Sequence, residues 1–159
     1  MGSTRILEMK LQIETKSSED TEKLAEKIGR CLRGGEVIEL VSDLGGGKTT
    51  FTRGLARGIG SEDRVASPTF TLSKVYKGKK LWLNHFDFYR LQEPGIIQHE
   101  IHDVIGDPNM VTVIEWADLV SHVLPENRLT ICLKHTGDNT RELELEFPES
   151  LSYLTENLK

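Results

Sequence analysis

Long hydrophobic runs are missing from this sequence, and none of its apolar stretches approaches the length that spans a membrane. The opening "MGSTRILEMKLQIE" holds no sustained apolar segment, so no signal peptide is expected. Ile6 stands where an N-myristoylation motif wants Ser or Thr. Cysteine is scarce: Cys31 and Cys132 are the only two, far apart and in no CxxC spacing. Each lies in an apolar pattern, which predicts two buried, reduced core thiols in a cytoplasmic protein. An excess of positive charge is missing too. The formal net charge is −5, so no global basic field draws the chain to nucleic acid or anionic membrane. A local patch stays open: Arg53, Arg57 and Arg64 lie near one another, though such a cluster reads more simply as a solvated face. Internal repeats and low-complexity segments are also lacking.

What is present suits a soluble globular protein: 37% hydrophobic and 28% charged residues. A length of 159 residues predicts a single domain, 1–159, with a core that needs no disulfides. Lys10–Thr15 alternates like an edge strand. "SSEDTEKLAEKIGRCLRGG" predicts an amphipathic helix with Ser17 or Ser18 as its cap. Leu24, Ile28, Cys31 and Leu32 share one face, and Gly34–Gly35 stop it. "EVIELVS" reads as a buried strand and "KTTFTRGLARGIG" as a helix. "FTLSKVYKGKKLWLNHFDFY" predicts two strands joined around Gly78. A weak helix over "EPGIIQHEIHDVIG", a strand "MVTVIEW" and a short helix "ADLVSHVL" follow. "RLTICLKHTGDNTRELELEF" is a hairpin pattern, with Ile131, Leu133, Leu143, Leu145 and Phe147 alternating. "ESLSYLTENLK" closes the chain as a helix. The fold class that results is α/β: a mixed sheet flanked by helices, with a C-terminal β-hairpin.

The chemistry concentrates in "VIELVSDLGGGKTTF". Strand, glycine-rich loop, Lys-Thr and helix make the P-loop arrangement. Glycines let the loop curl until its N–H groups point inward, and the new helix aims its positive end at the same point. Lys48 adds a full charge for the β- and γ-phosphates, and Thr49 offers a hydroxyl to Mg²⁺. The consensus G-x-x-x-x-G-K-[ST] is met imperfectly, because Ser42 holds its first position. A glycine-rich turn with an incidental lysine is the plainer reading, but the strand before and the helix after argue against it.

A P-loop needs acids for its metal. Glu115 ends the apolar run "VTVIE", as a strand would present a Walker-B carboxylate at the sheet edge. Asp87 ends the likewise strand-like "LNHFD", and His85, two residues earlier, faces the same side. "HEIHD" sets His99 and His102 three apart, which is not H-E-x-x-H, so no metal site is expected there.

Three classes compete. A GTPase would need an N-K-x-D base reader, which is absent. A small-molecule kinase would need an arginine-rich lid and an acceptor pocket, for which the chain is short. A small ATPase working with other proteins needs the grip, a metal acid and a responsive segment. The residues favour the third and keep the kinase as the alternative.

"SDLGGGKTTFTRGL", "SPTFTL", "HFDFYRL" and "IEWADLV", in that order, resemble the TsaE (YjeE) family, P-loop ATPases required for threonylcarbamoyl modification of tRNA adenosine next to the anticodon. The likeness runs from about Thr21 to about Pro125. It implies a P-loop NTPase-like fold and ATP with Mg²⁺ as ligands; ATP over GTP rests on it alone. It implies nucleotide contacts from Asp43, Leu44, Gly45, Gly46, Gly47, Lys48, Thr49 and Thr50, a switch-like segment of Ser67, Pro68 and Thr69, and Trp116 lining the site. Thr49 and Glu115 would hold Mg²⁺, and Lys48, Asp87 and Glu115 would carry hydrolysis. Adenine contacts would come from near Glu19–Thr21. The implied partners are TsaB and TsaD, with tRNA met indirectly through that complex, and hydrolysis is slow until the partners complete the site. The sequence departs from the family at Ser42, where Gly is usual, and over "EPGIIQHEIHDVIG".

Overall fold

Residues 36–41 and 110–115 are both short, apolar and β-branched, the pattern of strands covered on two faces. In the computed structural model, which describes residues 8–43, 45, 47–67, 73–89 and 95–158, they lie side by side at the centre of a sheet. The strands are β1 (Glu8–Thr15), β2 (Val37–Val41), β3 (Ser73–Lys77), β4 (Trp82–Asp87), β5 (Met110–Glu115), β6 (Leu129–His135) and β7 (Arg141–Pro148). Their order is β1-β7-β6-β2-β5-β4-β3. β6, β2, β5 and β4 run parallel, and the outer strands pair antiparallel. The two expected hairpins are β3–β4 and β6–β7, and β1 is an edge strand as its alternation predicts.

Helices cover both faces. α1 (Ser18–Cys31) and α2 (Lys48–Gly58) lie on one face with the C-terminal 3₁₀ segment Glu149–Leu158. α3 (Gly95–Val104) and the 3₁₀ helix Ala117–Val123 lie on the other. Ser17 caps α1, its side chain accepting from the Asp20 N–H, with Glu19 and Asp20 in the first turn. Phe51 and Leu55 of α2 are fully buried against Ile38, Leu40 and Val113. α1 and α2 touch backbone to backbone. A Cβ at Gly54 would sit 2.3 Å from the Glu22 carbonyl oxygen, and one at Gly58 would sit 2.5 Å from that of Glu26. Glycine is required there by space, despite its cost inside a helix.

The two cysteines depart from expectation. Both thiols are free, but each is half-buried rather than buried. Ile131 and Leu133 take the core face of β6, so alternation turns Cys132 toward the other face, beside Glu144 and Glu146. Burial, and then those carboxylates, push its thiol pKa up. Cys31 lies at the rim of α1, where its sulfur accepts from Asn157 Nδ2.

Candidate functional site

Four parallel strands bring their carboxyl ends to one edge of the sheet, the place where open α/β sheets bind ligands. The registers are level there: Asp87 pairs with Glu115, and Glu115 with Leu40. β2 ends at Val41, one residue past Leu40, and α2 begins at Lys48. Gly47, the N-cap of α2, has φ 101°, a left-handed conformation that suits glycine and turns the chain into the helix. Leu44 and Gly46 lie outside the described residues, as do Pro68 and Thr69 of the switch-like segment.

Lys48 begins α2 and is buried. Its Nζ donates to the Ser42 carbonyl at 3.1 Å and lies 4.1 Å from the centre of the Trp116 ring. Burial lowers its pKa; Glu115, Asp87 and Asp43, in that order, oppose the shift. Lys48, Asp87, Glu115, Asp43 and Trp116 are thus together. Thr49 and Thr50 follow Lys48 in the first turn of α2, both half-buried.

Glu115 is 2% exposed, and its Oε2 lies 3.2 Å from Nε2 of the fully buried His85. Strand parity predicts His85 on the same side as Asp87, and it is Glu115 that the ring meets. Asp87 uses both oxygens. Oδ2 accepts from Ser67 Oγ at 3.0 Å, and Oδ1 accepts from the Tyr89 N–H at 3.1 Å. Ser67 is therefore tied directly to the second acid. Trp116 has φ 57° and ψ 53°, the one non-glycine residue at positive φ among the described residues. Such a conformation is strained and concentrates at functional sites. It carries the indole over Lys48 and against Tyr89, with ring centres 5.1 Å apart.

The geometry adds residues that pattern reading misses. The Gly45 carbonyl accepts from His135 Nε2 at 2.9 Å, and Arg141 Nε would lie 3.8 Å from a Cβ at Gly47. The C-terminal hairpin therefore buttresses the glycine loop. β6 runs parallel to β2, so its last residue emerges at the same edge. No local signal marks His135; only the strand order brings it there. Tyr89 sits inside the "HFDFYRL" motif, which could have flagged it. Thr21, expected near adenine, is buried and shares a 2.7 Å hydrogen bond with Thr15. His99 and His102 are exposed on α3.

Residues 15–143 match the family described as "Threonylcarbamoyl adenosine biosynthesis protein TsaE". The chain belongs to the TsaE family. It is 39% identical over 137 residues to the tRNA threonylcarbamoyladenosine biosynthesis protein TsaE of Bacillus subtilis, covering 84% of this chain and 83% of that protein. The corresponding Treponema pallidum protein is 38% identical over 133 residues, covering 81% and 95%. The crystal structure of Bacillus subtilis YdiB superposes with a TM-score of 0.78 at 32% identity, covering 96% of this chain and 95% of that one. The family match extends beyond the motif-bearing stretch at both ends and takes in β6 and the start of β7, the hairpin that touches the loop. The α/β fold, with its mixed seven-stranded sheet among the described residues, is shared with that structure.

Proposed function

We infer that this chain binds and hydrolyses Mg-ATP, and that it does so in the cytoplasm as an accessory to threonylcarbamoyl modification of tRNA adenosine, acting on a TsaB–TsaD pair. One observation supports the ATPase reading most: a buried lysine at the head of α2, faced by Glu115, Asp87 and Asp43 at the carboxyl edge of the sheet. The names of its relatives support the pathway.

The residues fit the ligands. Among the described residues no three His, Cys, Asp or Glu side chains form a group that could hold a metal ion alone. Mg²⁺ does not need one, because it is usually held by one or two carboxylates together with substrate phosphates and water. Glu115 and Thr49 would supply the protein's share. Bound there, Mg²⁺ would neutralise charge on the phosphate oxygens.

The chain's own residues do the rest. The loop N–H groups and the α2 N-terminus receive the phosphates. Lys48 exchanges the Ser42 carbonyl for a phosphate oxygen, and the gain in charge pairing offsets the burial of its ammonium. His85 fixes the Glu115 carboxylate by its contact at Oε2, and a carboxylate so held would be aimed to share in binding Mg²⁺. Asp87 orients the attacking water once Ser67 releases its Oδ2. Slow turnover of the isolated chain follows from that contact: Asp87 is occupied by Ser67 and Tyr89. Partner binding re-sets the Ser67 segment and frees the acid.

Equilibrium binding of a fluorescent ATP analogue tests the grip. Lys48→Ala should abolish measurable binding, while Asp87→Ala should keep it and lose hydrolysis. Tight binding by Lys48→Ala would defeat the P-loop reading.

A further inference from the structure

The chain's acidity hides a segregation of charge. Between Arg53 and Lys80 there are seven lysines and arginines against two acids, in a protein of net charge −5. The fold gathers part of this run. Arg53 and Arg57 share the outer face of α2, one turn apart, and with Arg64 they line a cleft of about 320 Å³. Arg57 is held by Glu22 at 2.6 Å. Arg53 and Arg64 have no ion pair among the described residues.

The cleft's own acids are Glu62 and Asp63. The Asp63 carboxylate is occupied, accepting from the Lys77 N–H at 2.7 Å. That bond draws the β3–β4 hairpin against the cleft wall. Lys79 lies along Gly60, and Lys74 projects on the α2 side of β3 with Tyr76. The wall is rigid where it matters: Val65 is buried, and the Tyr76 hydroxyl both donates to the Ala66 carbonyl and accepts from its N–H. These contacts anchor the backbone that follows Arg64 and leads to Ser67.

We propose that this cleft, with Arg53, Arg57 and Arg64 as its walls and Lys74 and Lys79 at its margin, holds backbone phosphates of tRNA. Guanidinium forks match phosphate oxygens, and a row of separated cations matches a polyanion rather than a single anion. The choice of tRNA among polyanions rests on the proposed role in its modification. It also means that the chain touches tRNA directly, which the net charge alone argues against.

Fluorescence anisotropy of an end-labelled, unmodified tRNA transcript, titrated with the full chain alone, tests the cleft. Saturable binding is expected that weakens steeply with salt, and the joint change Arg53→Glu and Arg64→Glu should cost at least about tenfold in affinity and lower the salt slope by about two. Both side chains are exposed, so melting temperature and binding of the ATP analogue should stay as they are. Lys10→Glu, on the opposite sheet edge, should leave tRNA affinity unchanged. No binding at about 50 mM salt, or binding indifferent to the double reversal, would overturn the proposal. Equal competition by polyglutamate would overturn it too, and would assign the cleft to an acidic protein surface. These outcomes are independent of partner-stimulated hydrolysis, so the tRNA cleft and the ATPase role fail separately.

Discussion

His85 Nε2 lies 3.2 Å from Glu115 Oε2, and neither side chain is reached by solvent to any extent. The pair is diagonal across β4 and β5, since His85 is level with Val113 and Asp87 with Glu115. A carboxylate so buried must be paired or coordinated. Replacing the ring with a methyl, His85→Ala, removes the partner and leaves the acid alone. Stability should fall by about 3 kcal/mol, read from the urea midpoint at unchanged slope. The Mg²⁺ concentration needed to support binding of the ATP analogue should rise as well, because Glu115 is no longer aimed. An unchanged Mg²⁺ requirement would make His85 a packing residue only.

Burial of the Lys48 ammonium costs the folded chain stability. Its burial lowers its pKa below the ordinary 10.5, so the charged form is disfavoured in the folded chain. Lys48→Met should therefore melt higher than the parent in the absence of nucleotide while binding no ATP. The pH dependence has a definite sign. Between the folded pKa and 10.5 the unfolded chain binds more protons, so the parent gains stability as pH rises through that window. The gap between variant and parent should narrow there. A gap that widens with pH would show that charge attraction, not burial, dominates at Lys48.

Gly54→Ala tests the contact of α1 with α2. Alanine gains about 1 kcal/mol in helix propensity. Its Cβ would nonetheless meet the Glu22 carbonyl oxygen at 2.3 Å, and that oxygen belongs to backbone held in α1. The helices must separate, so the variant should be destabilised by about 1–3 kcal/mol overall. Denaturant unfolding measures it. A stabilised variant would mean that the helices slide apart at no cost.

Tyr153 fastens the C-terminal segment. Its hydroxyl donates to Glu36 Oε2 at 2.6 Å, and the same carboxylate accepts from the N–H groups of Arg33 and Gly34. Tyr153→Phe should cost about 1–2 kcal/mol. Burial, and then the Glu36 carboxylate, raise the phenol's pKa above 10.0. The folded chain then holds a proton that the unfolded chain releases, so this stabilisation is present below pH 10 and is lost as pH rises through the folded pKa. The variant should lose that alkaline slope.

Local pattern reaches a long way in this chain. Alternation places Ile131, Leu133, Leu143, Leu145 and Phe147 in the core, and Ser17 does cap α1. The strand–glycine–Lys–Thr pattern singles out Lys48, abrupt strand ends single out Asp87 and Glu115, and the fold brings the three together. What stays hidden depends on strand order, which no short window contains. Gly54 and Gly58 look like weak points of a helix until α1 is seen against them. His135 is a polar residue at a strand end until β6 is laid beside β2. Arg53, Arg57 and Arg64 read as a solvated face because their common cleft exists only after residues 59–65 fold back along α2. Cys132 misleads for the opposite reason: its neighbours are apolar, but parity sends it outward.

Phosphate release from Mg-ATP is the most direct test of the proposed role. It should be measured for the chain alone, and then with a TsaB–TsaD pair and tRNA from the same source. A slow basal rate that rises clearly with the pair, and that Asp87→Ala abolishes, is the expected result. ATP bound equally well, with no rise on adding the pair, would contradict a partner-driven ATPase and detach this site from the complex.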